Sequence, residues 1–166
     1  MNFWLIQTGE ELPIDGPGTR LLRTAILAEE LSARGHEVTY MTAAFNHQRK
    51  LMRCENSKRI RRGDDPSLAY HCVLLAGRAY TANVSIRRFI HHREVASAFA
   101  EMAQTMKRPD AILCGLPTIE LAQAVTDYAQ RRGIPCALDC RDMWPEVIEE
   151  RVPRAFRPLA VLHCPA

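Results

Sequence analysis

The sequence predicts the α/β class, with a central parallel sheet flanked by helices. Apolar runs of strand length alternate with segments of helical period along the chain. Glycines stand just past helical segments at Gly35 and Gly133, and no internal repeat or low-complexity tract interrupts the pattern. With 166 residues there is enough chain for one well-buried domain and too little for two of ordinary size.

The elements follow in order. Residues 3–7 read as an apolar strand, 10–20 as a glycine-bearing loop, then a helix ending at Gly35 and a second strand over 37–42. Residues 63–66 mark a turn before the third strand, 69–76. From 84 to 106, Ile86, Phe89, Ile90, Val95, Phe99, Met102 and Met106 recur mostly at helical spacing, giving one long helix or two with a bend. Pro109 and Asp110 stop that pattern. A fourth strand over 111–115 leads through Leu116 and Pro117 into a helix over 118–132, and a fifth strand, 135–140, delivers the chain to Arg141. Right-handed crossovers predict the strand order 3-2-1-4-5, with ligands bound outside the carboxyl ends where strands one and four part company. Three connections, 8–20, 115–118 and 141–146, are expected to converge there.

The first connection is the unusual one. A dinucleotide fold joins its first strand and helix through a tight G-x-G-x-x-G turn; here about ten residues intervene, and Leu21 stands at the place of the third glycine. A long segment stiffened by Pro13 and Pro17 and freed by Gly16 and Gly18 can fold over a bulky polar substrate and offer it backbone N–H groups. That favours sugar or phosphosugar chemistry over hydride transfer. The plainer reading is an ordinary helix start with Thr19 as its cap.

Composition excludes several classes. Apolar residues make up 47% and charged residues 25%, ordinary for a globular protein. No run approaches the eighteen apolar residues of a membrane span, and the N-terminus lacks the basic region and cleavage site of a signal peptide, so a cytoplasmic protein is expected. The net charge of +3 is unevenly spread: Arg49, Lys50, Arg53, Lys58, Arg59, Arg61 and Arg62 face only Glu55 within their stretch. Such a segment is either a solvated surface or a docking face for anionic headgroups, giving peripheral contact with the inner membrane face. No nucleic-acid partner is expected. Of six cysteines, Cys72, Cys114 and Cys140 fall within strand-like runs and read as core thiols. Cys136 and Cys140 would lie roughly 13 Å apart along a strand, too far for a disulfide or a shared metal.

Two places carry candidate chemistry. Arg141, Asp142, Trp144 and Glu146 crowd a cation, two carboxylates and an indole into the end of the fifth strand. Carboxylates accept bonds from sugar hydroxyls, an indole covers a ring face and arginine offsets phosphate charge; equally, Asp142 or Glu146 could simply cap a short helix starting near Pro145. The first loop offers Gly16, Gly18, Thr19 and Arg20 beside a helix N-terminus, where anions are stabilised. Asn46 and His47, beyond the second strand, are either placed to touch an acceptor or are ordinary loop residues, the usual case for a lone His in a loop. His91 and His92 are adjacent on a helix and point about 100° apart, so they form no metal pair.

Taken together, the opening that ends Arg34-Gly35-His36-Glu37-Val38, the Phe45-Asn46-His47 element followed by basic residues, and Arg141-Asp142-Met143-Trp144-Pro145-Glu146 resemble the N-terminal domain of the group-one retaining glycosyltransferases of the GT-B fold. The branch they are most similar to builds bacterial surface polysaccharides and includes amino-sugar transferases. The resemblance implies a Rossmann-like acceptor-binding domain spanning 1–166, facing a C-terminal nucleotide-sugar domain that this chain does not contain. It implies a nucleotide-sugar donor, a glycan or lipid-linked acceptor, no metal and no resident cofactor. Gly16 and Gly18 would lie near the donor phosphates and Asp142 at the cleft floor as the catalytic candidate. Arg141 stands where many relatives place a histidine that touches the donor sugar. The tail 154–166, apolar and broken by prolines, reads as the start of something longer. Two other readings are a nucleotide-dependent oxidoreductase or hydrolase, disfavoured because neither G-x-G-x-x-G nor G-x-x-x-x-G-K-[ST] occurs, and a free-standing binding module.

Overall fold

The computed structural model describes residues 1–82, 85–116 and 118–141. β1 (Asn2–Ile6) is followed by α1 (Arg23–Ala33) and β2 (Glu37–Ala43). A small ribbon comes next, β3 (Phe45–Asn46) against β4 (Leu51–Met52), then β5 (Lys58–Ile60) and β6 (His71–Leu75). One unbroken helix, α2 (Ile86–Gln104), precedes β7 (Ala111–Gly115), α3 (Ile119–Arg132) and β8 (Cys136–Asp139).

Among the described residues six strands form the main sheet in the order β5-β6-β2-β1-β7-β8, and every neighbouring pair is parallel except β5 with β6. The five parallel strands therefore stand in the order 3-2-1-4-5, with helices on both faces: a Rossmann-like α/β sheet. β5 is an addition at the β6 edge, and its three residues carry too little alternation to be seen in the sequence.

Strand pleat divides the core in two. Trp4 and Ile6, with Met41, Val73, Leu75 and Ile112, turn toward Val95 and Phe99 of α2 and Leu121, Val125 and Tyr128 of α3. Leu5, Val38, Tyr40, Cys72 and Leu74 turn the other way, toward Ala25 and Ala28 of α1 and Tyr70. Burial on both faces explains why these strands read as continuous apolar runs. Trp4 anchors the first cluster, stacked on Tyr128 with ring centroids 5.4 Å apart and edge-on to Phe99. Each such aliphatic or aromatic side chain stabilises the fold by about 1.5–3 kcal/mol.

Helix ends follow local chemistry. After α1, the His36 N–H donates to Leu31 O at 3.1 Å while Gly35 takes φ 82°; after α3, Ile134 N–H donates to Ala129 O at 2.9 Å with Gly133 at φ 60°. The start of α1 departs from expectation. Its N-cap is Leu22, which has no capping side chain, and Thr19 instead donates its hydroxyl to Gly16 O at 2.8 Å.

Cys72 and Cys114 are buried, and burial pushes both thiols up to about 12. Cys140 lies past the end of β8, which among the described residues is an edge strand with Ala137 and Leu138 also exposed, and is itself exposed; it is not the core thiol expected of it. Among the described residues, no helix is long and apolar enough to cross a membrane.

Candidate functional site

The connection between β1 and α1 is a built object. Gln7, buried at the end of β1, accepts hydrogen bonds on Oε1 from Thr8 N–H (2.9 Å) and Gly9 N–H (3.4 Å). Its side chain lies where a Cβ on Gly115 would fall, 2.6 Å from Nε2, so β7 must carry glycine there. Leu12 plugs the α1-side core, and a short 3-10 turn, Pro13–Asp15, follows it. Gly16 has φ 129° and ψ 172°, a region open in practice only to glycine.

Three arginines hold this loop through its three acids. Arg53 lies against Asp15 with Nη2–Oδ2 at 2.6 Å and Nε–Oδ1 at 2.7 Å, side chains 6% and 4% exposed, and donates to Ala43 O at 2.8 Å. Burial pushes the Asp15 carboxyl up, but the bonds from Arg53 and the Leu12 N–H outweigh it and hold the group below its usual range. Arg49 Nε donates to Glu11 at 2.6 Å; the same guanidinium reaches Asp15 O and, at 3.3 Å, Thr19 Oγ1. Two of the seven cations of the basic stretch are thus spent on this loop, Arg53 buried and Arg49 at the surface, and Lys50 turns toward His47, with Nζ 3.2 Å from Nδ1. Lys58, Arg59, Arg61 and Arg62 remain exposed.

The third pair explains the start of α1. Glu10 is buried and reaches across the helix N-terminus, accepting from Thr24 N–H (3.4 Å), Thr24 Oγ1–H (3.0 Å), Ala25 N–H (3.3 Å) and the Tyr40 hydroxyl (3.3 Å). Arg141 donates to the same carboxylate, to Thr24 Oγ1 at 2.6 Å and to Asp139 at 2.7 Å, and Arg23 adds an exposed contact to Asp139 at 3.1 Å. A carboxylate of the chain itself therefore sits where an anion would complement the dipole and the free N–H groups. The α1 terminus is occupied.

At the sheet's switch point lies a cleft of about 250 Å³ lined by Thr8, Gly9, Phe45, His47, Gln48, Tyr80, Arg88, His91, His92 and Thr118. These come from the carboxyl ends of β1 and β2, the segment after β6, the first turns of α2 and the cap of α3. Lys50, a donor only, and the Tyr80 hydroxyl at 2.7 Å both address His47 Nδ1, which puts the ring proton on Nε2. Burial first, then the charges of Lys50 and Arg88, lower the His47 pKa and keep the ring neutral at pH 7. His91 is buried, its Nδ1 2.8 Å from Arg78 O, and burial brings it down to about 4. His92 receives Arg88 Nε–H on Nε2 at 3.4 Å and stands 3.6 Å from Glu120 Oε2. The site is hydroxyl-bearing, aromatic and cationic, with the neutral imidazoles of His47 and His91 as hydrogen-bond partners.

Of the residues expected from sequence, His47 lines this cleft. Gly16, Gly18, Thr19 and Arg20 lie on the loop beside it, with Thr19 tied to Arg49, and Arg141 is engaged with Glu10, Asp139 and Thr24. Asp142, Trp144 and Glu146 lie outside the described residues. Thr118 ends the 115–118 connection expected at the carboxyl ends and lines the cleft; Tyr80, Arg88, His91 and His92 are not expected there from sequence, and only their spacing after strand three could point to them. No protein-family model matches the chain, and comparison with curated proteins gives no match.

Proposed function

We propose that this domain is the acceptor-binding half of a retaining glycosyltransferase, working with a second domain that binds a nucleotide-sugar. The observation that carries the reading is the first connection: in place of a pyrophosphate-clamping turn it is a fixed ledge of about a dozen residues, pinned by Arg49 and Arg53, beside a switch-point cleft of aromatic, hydroxyl and imidazole groups. Tyr80 and Phe45 supply ring faces, and His47, Gln48 and Thr118 supply directional hydrogen bonds suited to a pyranose. The diphosphate-bearing donor belongs on the facing domain. On this reading 1–166 alone gives no turnover, because proximity of donor and acceptor in a closed cleft is worth up to roughly 7–11 kcal/mol.

Saturation-transfer NMR with a panel of glycosides, alongside a fluorescence titration with NADH, tests the proposal. Glycosides should receive saturation, His47→Ala should abolish it, and NADH should leave the fluorescence unchanged. Tight NADH binding with no glycoside contact would refute the proposal.

A further inference from the structure

The two helix N-termini at the switch point are finished differently. At α1 the negative group is Glu10, held by backbone, hydroxyl and guanidinium donors. At α3 the cap is Thr118, 7% exposed, with extended backbone and no side-chain bond to the first turn; its Oγ1 has no hydrogen-bond partner among the described residues. A buried hydroxyl without a partner is costly, and natural folds keep few of them. This one lines the cleft, together with Arg88, His47 and His92.

The charges around it are mostly positive. Arg88 lies on the α2 side, Lys50 stands 4.8 Å over the Tyr80 ring, and the lowered pKa of His47 reflects, after burial, the field of Lys50, Arg88 and His92. The acid facing this group is Glu120, in the first turn of α3, whose carboxylate is drawn to His92 and to its own backbone N–H. Glu94 is committed to Arg78, with Nε–Oε1 at 2.8 Å.

We propose that this cleft is a subsite for a phosphate ester, its oxygens received by the Thr118 hydroxyl and the first-turn N–H groups of α3, with Arg88 and Lys50 balancing the charge. This rests on the acceptor reading above and adds to it that the acceptor carries a phosphate. A helix N-terminus, a hydroxyl donor and a guanidinium are the groups such an anion selects, and the cleft volume suits a phosphate with part of one sugar ring.

Amide NMR titration of the ¹⁵N-labelled chain with inorganic phosphate, glucose 1-phosphate and glucose, at constant ionic strength, tests it. Saturable shifts are expected at the Thr118, Ile119 and Glu120 amides and the His47 and His92 rings, with glucose 1-phosphate binding more tightly than inorganic phosphate and glucose far more weakly. Arg88→Gln should weaken binding about tenfold or more, the usual cost of a charge-assisted bond. Thr118→Val should weaken it while leaving Tm equal or higher, and Thr118→Ser should restore it; that split separates a ligand role from a structural one. Shifts at Thr24 and Ala25 in place of 118–120, or affinity indifferent to Arg88→Gln and Thr118→Val, overturn the subsite. Phosphate binding at Thr118 without glycoside contact leaves the subsite standing and removes the acceptor reading. Glycoside binding untouched by phosphate does the reverse.

Discussion

Replacing Arg53 by methionine should destabilise the fold by about 3–5 kcal/mol, the cost of stranding one member of a buried ion pair. Asp15, 4% exposed, would keep its bond from Leu12 N–H at 2.7 Å but lose both guanidinium bonds, and Ala43 O would lose its donor. Methionine refills much of the volume, so the loss is chiefly electrostatic. Set against a typical total of about 5–15 kcal/mol, that is about a fifth or more of the margin. Urea unfolding followed by circular dichroism on wild type, Arg53→Met, Asp15→Asn and the double variant gives the coupling directly. The double variant should be more stable than the sum of the single losses, by roughly 1–3 kcal/mol. The pair also has a pH signature. Because the Asp15 carboxyl titrates below its usual 3.8 in the fold, its contribution is complete above that value and fades as pH falls through the lower, folded one. The gap between wild type and Asp15→Asn should therefore close only in strong acid. An Arg53→Met protein within about 0.5 kcal/mol of wild type, the range of an ordinary surface change, would falsify the view that this pair holds the loop.

Two further outcomes are expected. Gly16→Ala should cost about 1–3 kcal/mol, because φ 129° is forced on a side chain whose Cβ would sit 3.3 Å from Arg49 Nη1; an unchanged Tm would show that the loop has other conformations to adopt. His91 binds its proton only near pH 4 in the fold but near 6.5 when unfolded, so the unfolded state takes up protons first as pH drops. Stability should fall between those values by up to about 3 kcal/mol, and His91→Gln should flatten that slope in denaturant midpoints measured from pH 7 to 4.

What could be read from the sequence was whatever depends on near neighbours in the chain. Strands such as 3–7 and 111–115 are apolar on both faces, and the crossover rule then orders them. Gly35 and Gly133 announce helix ends through their own backbone freedom. What could not be read depends on distant partners. The start of α1 falls later than the sequence suggests because the acid that serves its first N–H groups, Glu10, lies fourteen residues before Thr24 and only the fold brings them together. The basic stretch is mostly an outward face, but the parts played by Arg53 and Arg49 cannot be read locally, because Asp15 and Glu11, which claim them, are 38 residues away. Thr118 passes for an ordinary cap until its hydroxyl is found without a partner among the described residues. At the candidate site, then, His47 was visible as a polar group beyond a strand, whereas Tyr80 and Arg88 needed the folded segment after β6 to reach it.

The short reversed strand β5 has a bearing on solubility. Sheets whose outermost strand is long, flat and oily recruit copies of themselves; here the outermost position is held by only three residues, two of them the exposed cations Lys58 and Arg59. A second molecule approaching that margin would meet like charge and almost no backbone to pair with. Neutralising both side chains should make the protein prone to assemble edge to edge long before it loses its fold.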